Sequence, residues 1–495
     1  MLLESLNPTQ LDAVEHTEGP LLILAGAGSG KTRVLTHRVA YLIDQGLAAP
    51  EEVLAITFTN KAAREMKDRV ALLVGPDSRK MWVSTFHAFC ARILRVHAEK
   101  LGYKREFTIY DGADQVRLVK RCIVELGKDP KRFNPRSFQA QISSAKNVLM
   151  APDDFLRNTE GYIAENVAEV YDLYQKRLYE NNAMDFDDLI MQTVALLELF
   201  PEVRERYQTR FKYIHVDEYQ DTNHAQYRLV NLLAAGHRNL CVVGDDDQSV
   251  YSWRGADIRN ILDFERDYPE AKVVKLEQNY RSTQTILDAA NAVVANNASR
   301  KPKALWTAGG EGERIRIFAA SDEYAEARFV VSEVERLIEG DASPREISVF
   351  YRTNAQSRAL EDVLVREGVP YQVVGGVRFY ERAEVKDAMA YLSVISNPED
   401  SVSLERIINV PKRGLGNTSV AKLQDYARRN GASLYGALAE ADSVGLTGAA
   451  KKACRGVRDL IEGLRVAAKE VPPAELIGAV LDESGYRKEL EAEDT

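Results

Sequence analysis

Residues 25–32 have the composition of a phosphate-binding loop. An apolar run at 21–24 precedes the sequence Ala-Gly-Ala-Gly-Ser-Gly-Lys-Thr, and an amphipathic segment follows. Glycines let backbone N–H groups converge on an anion, and the N-terminus of the next helix favours negative charge. Lys31 can reach the outer phosphates of a nucleotide, and the hydroxyl of Thr32 can bind Mg²⁺. The sequence therefore predicts a nucleoside triphosphate site, although Ala25 stands where the general pattern has glycine.

An acidic pair follows a second strand-like segment and completes such a site. Residues 213–216 lead directly into Asp217 and Glu218. Asp217 can hold Mg²⁺, often through water, and Glu218 can orient and deprotonate an attacking water. An ordinary surface pair is the alternative, but a pair at the end of a buried strand is much more specific. Another strand end leads to Gln248, whose amide could sense a γ-phosphate.

Aromatic, polar and basic side chains follow the ends of three predicted strands. Because ligands bind at the carboxyl ends of parallel strands, we expect these side chains at one edge of a sheet. Amides and hydroxyls suit phosphates, and aromatic rings stack on the bases of a single strand. Taken alone, His87 fits a structural histidine better, and Trp253 has core packing as its alternative. The predicted contacts are Phe58, Asn60, Lys61, Thr85, Phe86, His87, Tyr251, Trp253 and Arg254.

Length and composition describe a multidomain globular protein. A chain of 495 residues is too long for one core, and its 45% hydrophobic and 28% charged residues are ordinary. The sequence has no apolar run long enough for a membrane span, and its four cysteines form no Cys-x-x-Cys pair, which fits a reducing cytoplasm. The net charge of −9 does not favour nucleic-acid binding, but local grooves decide such contacts.

Strand–helix alternation predicts an α/β fold with a parallel sheet, interrupted by a helical segment from about 105 to 200. Within that segment four basic residues lie between 131 and 147 without an acidic one, and they form either a phosphate-contacting patch or a solvated face. These residues are Lys131, Arg132, Arg136 and Lys146.

Together these patterns resemble the motifs of UvrD/PcrA/Rep-type superfamily 1 DNA helicases. Residues 25–32, 216–222 and 243–256 resemble motifs I, II and III, and Ala25 is normal in that family. The resemblance is very specific and covers the whole chain. It further includes a Q motif at 6–10, DNA-contacting motifs at 57–63 and 84–87, motif IV at 276–282 and motif IVa at 379–387.

The resemblance implies RecA-like P-loop NTPase parallel sheets with mainly α-helical insertion domains. ATP would lie between two RecA-like domains, and its hydrolysis would move the enzyme 3′ to 5′ along single-stranded DNA. Strands of the second sheet are expected at 315–318, 347–352 and 371–374. The expected domains are 1A (1–105 and 201–275), 1B (106–200), 2A (276–380) and an incomplete 2B (381–495).

The resemblance also assigns roles to individual residues. Tyr280 would stack on the adenine, and Arg281 would reach the γ-phosphate as an arginine finger. The predicted catalytic residues are Lys31, Asp217, Glu218, Gln248 and Arg281, with Thr32 and Asp217 at the metal. The predicted ATP contacts are Gln10, Ala25, Gly26, Ala27, Gly28, Ser29, Gly30, Lys31, Thr32, Arg33, Gln248, Tyr280 and Arg281.

A Gly-x-Gly turn near residue 415 predicts a grip on duplex DNA through 2B. Backbone amides there would meet a phosphate beside Lys412 and Arg413, and an ordinary turn between helices is the alternative. The predicted DNA contacts in this part of the chain are Arg352, Lys412, Gly414, Gly416 and Thr418.

Motifs V and VI of the family are not found before Thr495. Residues 1–495 alone are therefore expected to hydrolyse ATP poorly, and a catalytically weak DNA- and ATP-binding fragment is an alternative. A phosphate-loop ATPase without a nucleic-acid role, such as a kinase, is disfavoured by the aromatic and basic loops. Expected partners are single-stranded DNA and its junction with duplex, in repair or replication, without a membrane. Accessory repair proteins and self-dimerisation remain open.

Overall fold

A computed structural model of the protein describes residues 2–297, 300–374 and 382–492. These residues divide into two compact units, unit 1 with residues 1–312 and 391–495, and unit 2 with residues 313–390. Residues 379–381 of the predicted motif IVa and residues 493–495 lie outside the described part. The division of the chain into 1A, 1B, 2A and 2B stays a prediction.

A six-stranded parallel sheet organises unit 1, in the order β3-β2-β6-β7-β1-β8. Its central strands are buried on both faces, which explains their nearly continuous apolar sequences. A second, two-stranded parallel sheet pairs β4 with β5. The strands are β1 (Leu21–Ala25), β2 (Val53–Thr57), β3 (Trp82–Thr85), β4 (Thr108–Tyr110), β5 (Ala183–Asp185), β6 (Tyr213–Val216), β7 (Leu240–Gly244) and β8 (Lys272–Leu276).

Helices cover both faces of the large sheet. In chain order up to residue 294, the helices are α1 (Pro8–Glu15), α2 (Lys31–Asp44), α3 (Asn60–Val74), α4 (Phe86–His97), α5 (Gly112–Glu125), α6 (Pro135–Asn147), α7 (Pro152–Asn158), α8 (Tyr162–Glu180), α9 (Phe186–Leu199), α10 (Pro201–Arg210), α11 (His224–Ala234), α12 (Arg259–Leu262), α13 (Phe264–Asp267) and α14 (Gln284–Val294). Of these, α5–α8 form a separate core beside the small sheet.

The remaining helices are α15 (Glu323–Glu339), α16 (Ser357–Arg366), α17 (Ala383–Ser396), α18 (Ser401–Ile407), α19 (Asn417–Asn430), α20 (Leu434–Ala439), α21 (Gly448–Ala467), α22 (Pro473–Glu483) and α23 (Tyr486–Ala492). Across the described ranges, no helix has both the length and the apolar character needed to cross a membrane.

The register of the sheet brings the predicted site together. Leu24 of β1 pairs with Gly244 of β7, and Ile56 of β2 pairs with Val216 of β6. The loops that follow these strands therefore emerge at one edge. Helix α2 is held there because its buried residues, among them Val34, recur at helical spacing and pack on one face of the sheet.

The position of Lys146 shows that the prediction for the basic segment at 131–147 is wrong for this residue. It lies in α6 with only 1% of its surface exposed, so it belongs neither to a solvated face nor to a phosphate-contacting patch. Its Nζ lies 2.7 Å from Asp185 Oδ2 and 2.8 Å from Asp188 Oδ1. Burial opposes the charge of Lys146, but the two carboxylates outweigh burial and raise its pKa. The other three basic residues are exposed.

The strands predicted at 315–318, 347–352 and 371–374 are wrong for this structure. Residues 313–374, all described, form no strand. Their β-prone side chains are exposed instead, with Ile317 at 95% and Phe350 at 93%. An apolar pattern shows which residues can enter a sheet, but each strand also needs the backbone of a neighbour. Unit 2 is built on α15 and α16, which share a small core around Val331 and Val363.

Replacing Lys146 with methionine should lower the free energy of unfolding by about 3–5 kcal/mol, because two buried carboxylates lose their counter-charge. Urea unfolding followed by circular dichroism measures the change. Lys131→Met is the matched control on an exposed lysine of the same segment and should stay within about 0.5 kcal/mol of the wild type. Equal effects of the two substitutions would contradict the ion-pair explanation.

Candidate nucleotide and nucleic-acid sites

The phosphate-binding loop connects β1 to α2 in a conformation that requires glycine. Gly28 and Gly30 have φ values of 72° and 91°, in the left-handed region, and Gly30 caps α2. A Cβ at Gly28 would lie 2.5 Å from Asn279 Nδ2, so the loop also lacks room for a side chain there. The N–H groups of the first turn of α2 are the natural anion-binding groups of this loop.

Lys31 and Glu218, predicted as catalytic residues, meet in an ion pair. Lys31 Nζ lies 3.1 Å from Glu218 Oε2. Glu218 has φ 48° and ψ 47°, a left-handed conformation that is strained for a residue with a side chain. The Gln220 amide also donates to Glu218 Oε2 at 3.0 Å. The carboxylate is thus held beside the phosphate loop by two neighbours.

Asp217 is buried immediately before this pair. It is 5% exposed. Burial, with the negative charge of Glu218, raises the pKa of Asp217 to about 6, while Lys31 opposes the shift. A divalent cation bound there would favour the ionised carboxylate. Carboxylate and hydroxyl oxygens are ligands that Mg²⁺ prefers, so Asp217 and Thr32 form a donor set that fits this ion.

The loop after β7 is hydrogen-bonded to the loop after β6. Gln220 Oε1 accepts from the Asp245 N–H at 3.0 Å, and the amide of Gln248 donates to the carboxylate of Asp245. A Cβ at Gly244 would lie 2.5 Å from Gln220 Oε1, so glycine is needed at this close approach. Sequence reasoning missed Gln220, which lies within the motif that also holds Asp217 and Glu218.

The predicted adenine contacts lie together beside the phosphate loop. Gln10 is 1% exposed, and its amide donates to the Ser29 carbonyl at 3.0 Å. The Tyr280 hydroxyl accepts from Asn7 Nδ2 at 2.8 Å, while Tyr280 as a residue is 55% exposed. Asn7 also caps α1 and exchanges hydrogen bonds with Gln10. An exposed ring held by its hydroxyl is available for stacking.

The structure places Arg281 directly beside the phosphate loop. A Cβ at Gly28 would lie 2.7 Å from the Cβ of Arg281, and the exposed arginine follows Tyr280, whose N–H donates to the Gly28 carbonyl at 2.9 Å. Asn279, which sequence reasoning did not single out, donates to the Ala27 carbonyl at 2.5 Å. Arg33 is farther along α2 and donates to the Ser5 carbonyl at 2.8 Å.

Trp253 and Tyr251 form an exposed aromatic pair after β7. Their exposed fractions are 70% and 38%. The Arg254 guanidinium lies 4.6 Å from the ring centroid of Trp253 and 5.2 Å from that of Tyr251. The alternative that Trp253 is a core residue is therefore wrong. Two exposed rings beside a cation are the usual platform for bases of a single strand.

Phe86 does not share this exposure. It is 2% exposed and packs in the core, with its ring centroid 5.8 Å from that of the partly exposed Phe58. Strand β3 ends at Thr85, so Phe86 begins α4 facing inward. This placement argues against a direct base contact by Phe86. Thr85 caps α4 by accepting from the Ala88 N–H at 3.3 Å.

His87 and Asn60 remain at the same edge of the sheet. The His87 ring contacts Phe186 edge-on, with centroids 5.7 Å apart. Burial lowers the pKa of His87, so its ring is neutral at neutral pH. Asn60 and Lys61 are exposed in the first turn of α3. Polar groups and the ring of Phe58 thus lie together after β2 and β3.

The turn at 412–418 has some of the features that its predicted contact with duplex DNA requires. Lys412 and Thr418 are exposed, and α19 begins at Asn417 without a side-chain cap. Arg413 is instead engaged within the protein, since its guanidinium donates to several backbone carbonyls, including that of Ile407 at 3.1 Å. Arg352, in unit 2, is exposed.

A parallel sheet with a glycine-rich loop after β1 and an Asp-Glu pair after β6 defines a P-loop NTPase. The chain belongs to the UvrD/REP helicase family. The family model for the UvrD/REP helicase N-terminal domain matches residues 6–269, and that for the UvrD-like helicase C-terminal domain matches residues 274–443. The resemblance deduced from the motifs is thereby confirmed.

Curated relatives agree with this assignment. The ATP-dependent DNA helicase PcrA of Staphylococcus aureus strain Mu50 is 53% identical over 494 residues, which cover 100% of this chain and 68% of the relative. The protein of the same name from Bacillus subtilis strain 168 is 52% identical over 99% of this chain and 67% of its own length. These comparisons do not favour the alternative of a catalytically weak fragment.

Lys31→Ala should weaken ATP binding roughly 10- to 150-fold, the loss expected for a hydrogen bond to a charged group. Titration of a fluorescent ATP analogue measures the Kd. Lys61→Ala, on an exposed lysine outside the phosphate loop, is the matched control. An unchanged Kd in Lys31→Ala would contradict the placement of the phosphates in this loop.

Proposed function

We propose that this protein is an ATP-dependent DNA helicase that moves 3′ to 5′ along single-stranded DNA. One observation carries the proposal. A continuous series of contacts runs from Lys31 through Glu218, Gln220 and Asp245 to Gln248. Three residues after Gln248 begins the exposed aromatic pair of Tyr251 and Trp253. Such a series supports the coupling of a phosphate site to a single-strand site.

In the proposed hydrolysis, the phosphate loop and Lys31 bind the triphosphate. Asp217 and Thr32 would hold Mg²⁺, which would supply electrostatic stabilisation of the phosphates. Glu218 orients the attacking water and takes its proton. Arg281 stabilises the charge that develops on the γ-phosphate. Tyr280 stacks on the adenine.

In the proposed DNA complex, single-stranded DNA crosses the edge formed by the loops after β2, β3 and β7. Tyr251 and Trp253 stack on bases, and Asn60 and Arg254 contact phosphates. The amides at the start of α19, with Lys412, contact the duplex at a junction. We place ATP between domains 1A and 2A, with 1B and 2B as insertions.

The cellular assignment is part of the same proposal. We place the protein in the cytoplasm, in DNA repair or replication. The free cysteines Cys90, Cys122, Cys241 and Cys454 are all buried, which agrees with a reducing compartment. Accessory repair proteins or a second copy of the chain are the further partners we propose to test.

ATP hydrolysis measured with and without a single-stranded oligonucleotide tests the function. ATP turnover by the wild type should rise with the oligonucleotide, and the protein should displace a strand from a duplex with a 3′ single-stranded tail. This result would contradict the expectation from the sequence that residues 1–495 alone hydrolyse ATP poorly. Glu218→Gln should lower turnover about 10²–10⁴-fold, because it removes the general base. Its ATP Kd should stay within about threefold of wild type, since the phosphate loop is intact. Bound ATP and DNA without stimulated turnover would contradict the proposed function.

Trp253→Ala should weaken binding of a single-stranded oligonucleotide by roughly 1–3 kcal/mol, the contribution of one base stack. Fluorescence anisotropy of a labelled oligothymidylate measures the Kd. The control is Leu72→Ala, which removes a side chain that is 87% exposed near the C-terminal end of α3, away from the strand ends. If both variants bind the oligonucleotide like the wild type, Trp253 makes no stacking contact.

A further inference from the structure

Three consecutive aspartates after β7 surround one buried lysine. Lys303 Nζ lies 2.9 Å from Asp245 Oδ1 and 2.8 Å from Asp247 Oδ2, and it also contacts the carboxylate of Asp246. The Lys303 side chain is only 3% exposed. Three carboxylates this close together could ligate a metal ion. Here the lysine ammonium supplies the positive charge, so the cluster is an internal ion network.

The residues before Lys303 hold the same aspartates. Arg300 Nη2 donates to Asp247 Oδ2 at 2.9 Å. The backbone N–H of Lys301 donates to Asp246 Oδ2 at 2.7 Å. Burial opposes the charge of Lys303, but its hydrogen bonds to the carboxylates outweigh burial and raise its pKa. The Lys303 ammonium therefore lies in a network of carboxylates that has little access to solvent.

The residues after Lys303 pack on the nucleotide side. A Cβ at Gly26 would lie 2.3 Å from Leu305 Cδ2, so Leu305 lies directly against the phosphate loop. The Trp306 carbonyl accepts from the Asn279 N–H at 2.8 Å. Asn279 in turn donates to the Ala27 carbonyl and precedes Tyr280 and Arg281. One short segment thus contacts the aspartate loop through Lys303 and the phosphate loop through Leu305.

We propose that Lys303 is a positioning residue that couples nucleotide binding to single-stranded DNA binding. It fixes the aspartate loop, and with it Gln248, Tyr251 and Trp253, to the segment that lies against the phosphate loop and is hydrogen-bonded to Asn279, two residues before Arg281. This inference rests on the proposed function, because it assumes that both ligands bind where that proposal puts them. Lys303 itself touches neither ligand and acts through the loop that it holds.

The test removes the link while keeping the net charge of the cluster unchanged. Lys303→Met alone would leave three carboxylates around an apolar side chain and endanger folding. The double variant Lys303→Met/Asp246→Asn removes one charge of each sign. Lys303→Arg keeps the cation as the conservative variant. Lys301→Met is the matched control, since the Lys301 side chain pairs with Glu265 and only its backbone contacts Asp246.

The measured quantity is the ratio of oligothymidylate Kd values without and with a non-hydrolysable ATP analogue. In the wild type and in Lys301→Met we expect this ratio to differ from one by several-fold. In the double variant we expect it within twofold of one, with the Kd of the analogue alone within threefold of wild type. Lys303→Arg should restore at least half of the wild-type effect. If Lys303 had only a structural role, its loss would change the oligothymidylate Kd without the analogue and the Kd with the analogue by the same factor. The ratio of the two Kd values would then be unaltered.

The outcomes separate the two proposals. If the wild type binds neither the ATP analogue nor the oligonucleotide, the proposed function fails. If it binds both but the ratio survives in the double variant, the inference about Lys303 is overturned. A wild-type ratio of one with both ligands bound would also overturn it, because there would be no coupling for Lys303 to carry.

Discussion

The ion pair between Lys31 and Glu218 is the contact on which the arrangement of the site depends. It joins the loop after β1 to the loop after β6, and it involves the two side chains with the most direct roles in the proposed hydrolysis. Glu218 adopts a left-handed backbone conformation at this point. Such strain persists only where surrounding contacts determine it, and here Lys31 and Gln220 supply them.

This contact also suggests how a bound nucleotide can be sensed. Phosphate oxygens compete with Glu218 for the Lys31 ammonium, because both are anions that accept its hydrogen bonds. A carboxylate released by Lys31 keeps its bond to Gln220, whose other amide atom accepts from Asp245. Any shift of Gln220 is therefore transmitted to the loop after β7 through this hydrogen bond. The close approach at Gly244 leaves little room for this movement to be absorbed locally.

The sequence predicted those parts of the site that are determined by local chemistry. The phosphate loop, the Asp-Glu pair and the exposed Trp253 all follow from residue types at strand ends, and the large sheet places them at one edge. The placement of Phe86 and Lys146 was harder to predict, because a phenylalanine or a lysine can serve either inside the protein or at a ligand-binding surface. Only packing decides which way such a side chain faces. Asp185 and Asp188, which pair with Lys146, lie about 40 residues away in sequence. The strands expected in unit 2 depend on pairing partners that composition cannot supply.

The acidic residues of the site illustrate the same limit. Asp217 and the three aspartates after β7 all follow apolar strands, so sequence alone gives them similar surroundings. In the structure, burial and Glu218 raise the pKa of Asp217, whereas Lys303 and Arg300 help to lower that of Asp247 against the effect of burial. Asp217 needs a cation from outside the protein, whereas Asp247 already has Lys303 and Arg300 as its cationic partners. Carboxylates that follow similar strands therefore have different roles. Asp217 is placed to bind a ligand, whereas the aspartates after β7 form an internal ion network, because Lys303 from a distant segment reaches them.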